Sequence, residues 1–204
     1  MSGAIGSDAA DGGLGQVVLA TANPHKVEEI AALLPDIDFV SRPSDVPDVV
    51  EDAGTLVGNA RLKAVALAEA TGLPALADDT GLFVDALDGA PGVEAAYFAG
   101  PDATYDDNVD KLLAELDGVA AEGRTASFQT IALLRFPDGS EIVARGVVEG
   151  TILTECRGSS GFGYDPVFVP SDGDGRSFGE MSDDEKSAIS HRARAMQALQ
   201  RLLG

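Results

Sequence analysis

Contiguous apolar runs and apolar residues at helical spacing alternate along this chain. Val17-Val18-Leu19-Ala20 is an unbroken run, the pattern of a strand buried on both faces. Thr21-Ala22-Asn23-Pro24 then turns the chain, with the proline suited to the first turn of a helix. Val27, Ile30, Ala31 and Leu34 recur at helical spacing as far as Pro35, and Ile37 to Val40 reads as a second strand. Ser41 to Gly54, rich in proline and acids, reads as a loop. An Ala/Leu-rich helix is predicted from Thr55 to Ala70, stopped by Thr71-Gly72. Ala75-Leu76-Ala77 reads as a brief strand ending at Asp78-Asp79-Thr80-Gly81, and Leu82 to Leu87 extends again before an Asp88-Gly89 turn.

Thr104 to Leu116 predicts an amphipathic helix, with Val109, Leu112, Leu113 and Leu116 on one face. Two β-rich runs follow, Ala126 to Phe136 and Glu141 to Val148, joined by Pro137-Asp138-Gly139-Ser140 as a hairpin. Gly158 to Tyr164 is a glycine-rich loop before a short strand, Val167-Phe168-Val169. The last segment is helical and opens on a capping-box pattern, Ser182 with Glu185. Strands alternating with helices, then a hairpin, predict an α/β fold with a mixed sheet. No internal repeat or interior linker divides residues 17–204, which read as one domain after a flexible extension, Met1 to Gln16.

Composition narrows the function classes. A chain of 204 residues with 45% apolar and 24% charged residues is ordinary globular material. No apolar run approaches the length of a membrane span. Met1 to Gln16 has neither the positive charge nor the apolar block of a secretory signal, which leaves a cytoplasmic location as the expectation. Cys156 is the single cysteine, so no intrachain disulfide can form, and two histidines make a His/Cys zinc site a poor fit. The net charge of −20 disfavours a nucleic-acid backbone as partner and repels a nucleotide triphosphate at long range. A polyanionic substrate therefore requires a local cluster of cations, a metal ion, or both. Only four lysines are available, Lys26, Lys63, Lys111 and Lys186, and three of them fall in segments that carry candidate chemistry.

Each segment taken alone has a plain structural reading beside the chemical one. Thr21, Asn23 and Lys26 surround a predicted helix start, where free backbone N–H groups favour anions; they also read as a helix cap with one solvated lysine. No P-loop pattern occurs in the chain. Asp78 and Asp79 are adjacent on a predicted strand, so their side chains point to opposite faces and only one aims directly at a given site. Carboxylates suit Mg²⁺, although the same residues suit an acidic turn. Glu51 lies in the loop before the next helix, and Asn59 and Lys63, four apart, share a face of that helix. In Gly161-Phe162-Gly163-Tyr164-Asp165, the glycines admit a ligand close to the backbone and the aromatics can stack on a base or enter the core. Lys186 and His191 diverge by roughly 140° on an unbroken helix. If both touch one ligand, the helix breaks near Ser190 or the ligand lies across its end.

Taken together, these segments resemble the inosine/xanthosine triphosphate pyrophosphatase family over about Val17 to Leu203. The motifs stand in the family order: T-x-N-x-x-K at Thr21 to Lys26, E-x-x-x-T-x-x-x-N-A-x-x-K-A at Glu51 to Ala64, and A-D-D-T-G at Ala77 to Gly81. P-G-V at Pro91 to Val93, G-F-G-Y-D-P at Gly161 to Pro166 and E-K-S-A-I-S-H-R at Glu185 to Arg192 follow. The resemblance implies an elongated mixed sheet flanked by helices, two lobes with a central nucleotide cleft, and a homodimer. It implies hydrolysis of ITP, dITP and XTP between the α and β phosphates, with Mg²⁺ as cofactor and Mn²⁺ as a substitute. On this resemblance Thr21, Asn23, Lys26 and Lys63 would hold the phosphates, and Glu51 and Asp79 would bind the metal. Asp79 would also be the general base, supported by Asp78, and Thr80 replaces the family's usual serine with its hydroxyl retained. Phe162 would stack on the base, with Gly163, Tyr164, Asp165, Lys186, His191 and Arg192 around it. A buried donor aimed at the 6-oxo group would reject adenine, and exclusion of guanine falls to the 2-position.

The chain departs from the family at several positions. Ala95 and Tyr97 stand where a serine and an arginine are usual, Ser160 where glycine is common, and Cys156 where proline is frequent. Leu56 and Gly58 replace an aromatic and an acid. Three rival readings stay open: a pyrophosphatase for other nucleotides such as modified pyrimidines, a nucleotide-binding module without catalysis, and a thiol hydrolase using Cys156.

Overall fold

The computed structural model describes residues 14–204; residues 1–13, most of the expected N-terminal extension, lie outside the described residues. The chain runs β1 (Gln16–Leu19), α1 (Pro24–Leu33), β2 (Asp38–Ser41), α2 (Leu56–Thr71), β3 (Ala75–Val84), β4 (Pro91–Gly92) and α3 (Tyr105–Glu115). It continues with β5 (Thr125–Arg135), β6 (Glu141–Ile152), β7 (Phe168–Pro170), α4 (Asp183–Ile189) and α5 (His191–Leu203). Gln16 already belongs to β1, where its amide donates to Asp38, and Leu14 packs on the core. The extension therefore gives way to structured chain before Gln16, the residue at which it was expected to end.

Local signals set the helix ends. Thr55 caps α2 by accepting from Gly58 N, and Gly72 closes it in the left-handed conformation that glycine adopts without a Cβ penalty. Thr104 and Asp107 cap α3 reciprocally, as Ser182 and Glu185 cap α4. The C-terminal helical segment is two helices: Ser190, with ψ of 157°, ends α4 and caps α5. This break rotates His191 relative to Lys186 and brings both to one cleft.

The sheet is mixed, in the order β2-β1-β3-β5-β6-β7, with β4 paired to β3 off this path. β1 pairs in parallel with β2 and β3; β3, β5 and β6 are long antiparallel partners. Residues 75–84 form one strand of 10 residues, not a brief strand ending at Asp78 and a second one after it. Every residue of β3 has a partner on β5, Asp78 facing Ala132 and Asp79 facing Ile131, so the acidic residues lie mid-strand. Alternation then sends Asp78 and Thr80 to the face covered by α5, and Asp79 to the face covered by α2.

Three apolar clusters pack this frame. At one end of the long strands, Leu76, Leu134 and Ala144 meet Ile30 of α1 and Met196 of α5. On the opposite face, Ala77 and Leu133 meet Ala60, Ala64 and Leu67 of α2. At the other end, Phe128, Val148 and Phe168 gather Leu112 of α3, Tyr164 and Phe178. Gly146 lets α5 lie directly on the sheet: a Cβ there would sit 2.0 Å from His191 O and 2.4 Å from Ala195 N. Among the described residues, no helix is long and apolar enough to cross a membrane.

Candidate active site

Between the clusters lies a cleft of about 780 Å³, within the usual range for small-molecule sites. Three of the four lysines line it: Lys26, Lys63 and Lys186. The fourth, Lys111, is used structurally, donating to Phe98 O at 2.8 Å.

At one end of the cleft Lys63 bridges two carboxylates, with Nζ 2.9 Å from Glu51 Oε2 and 2.9 Å from Asp79 Oδ1. Asn59, one turn before Lys63, accepts from Ala53 N and so holds the Glu51 loop against α2. Burial pushes the Asp79 carboxyl up to about 6, with the Lys63 ammonium opposing it. Burial works against the Lys63 charge too, but Asp79, Asp78 and Glu51 outweigh it and raise this lysine. Asp79 Oδ2 is fully buried and has no hydrogen-bond partner among the described residues. An orphaned carboxylate oxygen is costly unless a cation takes it up.

Asp78 serves the other face. Its carboxylate lies 3.2 Å from Lys26 Nζ and 3.1 Å from Arg192 Nε, with none of its own surface exposed. Burial disfavours its charge, yet Lys26 and Arg192 together hold it well below the usual carboxylate range. Burial also draws Lys26 down, although Asp78 supports its charge. Asp78 does not line the cleft. The expected support of Asp79 by Asp78 is therefore indirect: Asp78 holds two cations in place and does not touch Asp79. Thr21 and Asn23 line the cleft beside Lys26; Thr21 Oγ1 accepts from Asn23 N, and Asn23 Oδ1 caps α1.

The opposite end carries the loop before β7. Gly161, with φ of +73°, tolerates no side chain, since a Cβ would meet Asp165 Oδ2 at 2.2 Å. That same oxygen accepts from Phe162 N at 2.7 Å and from Lys186 Nζ at 2.8 Å. Burial pushes Asp165 up, against the Lys186 charge. The Phe162 ring stacks on His25, with centroids 5.2 Å apart, and Lys186 Nζ lies 4.8 Å from its centre. Gly163 lines the cleft with positive φ. Tyr164 lines the cleft while its ring joins the apolar cluster and its hydroxyl donates to Ala95 O at 2.8 Å. Its phenol is pushed up by burial and stays protonated. His191 and Arg192 are buried at the cleft wall, and Thr80 lies beside Arg192.

Sequence reading missed Glu29. It accepts from Lys186 Nζ at 2.6 Å and is ion-paired with Arg192, joining the two cations expected around the base. Its spacing three residues after Lys26 on α1 was the available signal. Asn108 was missed as well; it pins residues 96–99 to α3 by accepting from Ala99 N and donating to Ala96 O. Cys156 is exposed, and burial with the charges of Asp110 and Asp106 pushes its thiol up, the reverse of an activated nucleophile.

Comparison with known proteins agrees with this architecture. A dITP/XTP pyrophosphatase of Opitutus terrae is 50% identical over 195 residues, spanning 89% of this chain and 95% of the relative. One of Streptomyces coelicolor is 46% identical, spanning 90% and 94%. The structure of a HAM1 protein from Coxiella burnetii superposes with a TM-score of 0.85 at 40% identity, covering 93% of this chain and 98% of that one. The Staphylococcus aureus Ham1 protein gives 0.82 at 34% identity, covering 92% and 97%. Residues 17–202 match the Ham1 family as a whole, and with this fold and this coverage the chain belongs to the Ham1 family.

Proposed function

We infer that this protein hydrolyses non-standard purine nucleoside triphosphates, ITP, dITP and XTP, to the nucleoside monophosphate and pyrophosphate. The reading is supported by relatives called dITP/XTP pyrophosphatase and, in the structure, by one arrangement: Glu51, Lys63 and Asp79 meet at one end of a cleft whose other end holds Phe162, Asp165 and Lys186. The ends differ in chemistry as the ends of a nucleotide do.

Lys26 and Lys63 bind the phosphate chain, and Thr21 and Asn23 shape the start of α1 beside it. Both lysines are ion-paired with carboxylates, Lys26 with Asp78 and Lys63 with Glu51 and Asp79, and phosphate oxygens join them from the cleft side. Asp79 accepts the proton of the attacking water; burial has already raised its carboxyl towards the working pH, which suits a general base. Glu51 and Asp79 fit a hard divalent cation, because Asp79 Oδ2 lacks a partner and both donors are carboxylate oxygens. Two carboxylates suit Mg²⁺, with Mn²⁺ as a substitute, since Mg²⁺ retains water and shares substrate phosphates. Such a cation supplies charge neutralisation for the pyrophosphate leaving group. Asp78 keeps Lys26 and Arg192 in position. Phe162 stacks on the base, while Lys186, Arg192 and His191 form the polar wall around it. The same reading includes a homodimer acting in the cytoplasm.

The test is pyrophosphate release from ITP, dITP, XTP, ATP and GTP with and without Mg²⁺. Rapid turnover of the first three with metal, and poor turnover of ATP and GTP, is the expected result. Equal rates on all five would remove the selectivity, and tight ITP binding with no release would leave a binding module.

A further inference from the structure

His191 is the first residue of α5, and its ring stacks on Phe128 with centroids 4.5 Å apart. Its Nδ1 lies 2.7 Å from Thr130 Oγ1, which in turn lies 2.7 Å from Thr80 Oγ1. Thr130 is fully buried on β5, opposite Thr80 in the β3–β5 register, and belongs to none of the motifs above. Arg192 Nη2 donates to Thr80 Oγ1 at 3.4 Å. The four side chains form one line of hydrogen bonds along the cleft wall.

That line has a direction. A guanidinium has no acceptor, so Arg192 can only donate. Thr80 accepts from it and passes its own hydrogen to Thr130, and Thr130 passes its hydrogen to His191 Nδ1. In this sense each hydroxyl accepts once and donates once, the arrangement in which successive bonds polarise one another. The opposite sense would bring the Arg192 and Thr130 hydrogens onto one Thr80 oxygen and leave the Thr80 hydrogen without a protein partner. With Nδ1 accepting, the proton of the neutral ring sits on Nε2. Burial, with Arg192 and Lys186 nearby, holds the ring well below its ordinary value and hence neutral. Among the described residues Nε2 has no hydrogen-bond partner, and it is not sealed in: the fully buried unpartnered side-chain atoms there are Asp78 Oδ1 and Asp79 Oδ2. His191 lines the cleft, so this N–H is presented to it.

We propose that Thr130 is a positioning residue for base selection: through His191 Nδ1 it fixes the imidazole as an Nε2–H donor to a 6-oxo purine. The proposal rests on the purine triphosphate reading and deepens it. Adenine presents a donor at the same position, and two donors facing each other leave a buried polar group unpaired.

The ring proton is read by ¹⁵N NMR of the full-length protein without nucleotide. The chain has only two histidines, so a His25→Asn variant assigns the signals. His191 is expected as the Nε2–H form. Thr130→Val, which replaces the hydroxyl by a methyl, should mix the two forms and lower the ITP-to-ATP ratio of kcat/KM by about tenfold. Thr130→Ser should restore both. An Nδ1–H ring in the unaltered protein, or a Thr130→Val protein with unchanged ring proton and ratio, overturns the proposal. Should Thr130→Val fail to fold, the unaltered protein still decides. An Nε2–H ring in a protein that hydrolyses no 6-oxo nucleotide would remove the proposed function and keep the relay; an Nδ1–H ring in an active enzyme would remove the relay alone.

Discussion

Replacing Asp78 by asparagine removes one charge from the most buried ion cluster of the fold. Its carboxylate is wholly buried and holds Lys26 at 3.2 Å and Arg192 at 3.1 Å. Arg192 keeps Glu29 as a second anion, whereas among the described residues no other carboxylate is ion-paired with Lys26. Breaking a buried pair from one side costs about 3–5 kcal/mol, because the partner charge is left uncompensated. Lys26 retains 17% side-chain exposure and can shed its proton more easily than an ordinary lysine, which places the expected loss near the lower bound, about 3 kcal/mol. For a domain of this size that is roughly 6–12 °C in Tm. The sign with pH is fixed by Asp78 lying below its unfolded value. Its contribution is full above about pH 4 and fades as pH falls through the depressed folded value, so the two proteins should converge in acid. The chain has no tryptophan, so urea unfolding followed by far-UV circular dichroism is the suitable assay. Asp172→Asn, which breaks the exposed Arg194 pair, is the control and should cost only ~0–1 kcal/mol. A loss below about 1 kcal/mol for Asp78→Asn at pH 7 would refute the reasoning.

Asp79→Asn should fold, bind ITP and lose turnover by about 10²–10⁴-fold, as removal of a general base does; near-normal kcat would move the base elsewhere. Because Asp79 is raised to about 6 and must be ionised to accept a proton, kcat/KM at limiting Mg²⁺ should fall as pH drops below about 6, and a flat profile to pH 5 would contradict that role. Gly146→Ala should unfold at much lower urea, since its Cβ would overlap His191 O and Ala195 N, both backbone atoms of α5; unchanged stability would mean that α5 sits elsewhere. Cys156→Ala should keep full activity in the pyrophosphate assay, and a dead variant would revive the thiol hydrolase.

The helices were legible because their signals are local. Thr55 and Gly72 bound α2, and the period of Val109, Leu112 and Leu116 gave α3, within about a residue of the observed ends. β3 was not legible as one strand. Asp78-Asp79-Thr80-Gly81 has the composition of a turn, and only partners remote in sequence make those residues tolerable inside a sheet: Lys26 from α1, Lys63 from α2 and Arg192 from α5. The break at Ser190 shows the reverse case. The helical angle between Lys186 and His191 left two arrangements for a shared ligand, a break near Ser190 or a ligand across the helix end, and the structure has the break. Tyr164 and Phe162 look equivalent in sequence and both line the cleft, yet only the Tyr164 ring also joins the core, its hydroxyl bonded to the Ala95 carbonyl. Thr130 lies in a strand that also carries Thr125, Ser127 and Gln129, so its hydroxyl did not stand out, and its partners Thr80 and His191 are 50 and 61 residues away.

The central claim is that water attacks beside Asp79, where Lys26 and Lys63 hold the triphosphate, so that the α–β bond is cut. Identifying the products of ITP with the purified protein and Mg²⁺ measures this directly. IMP and pyrophosphate in equal amounts are expected; IDP with orthophosphate, or intact ITP, would contradict the account.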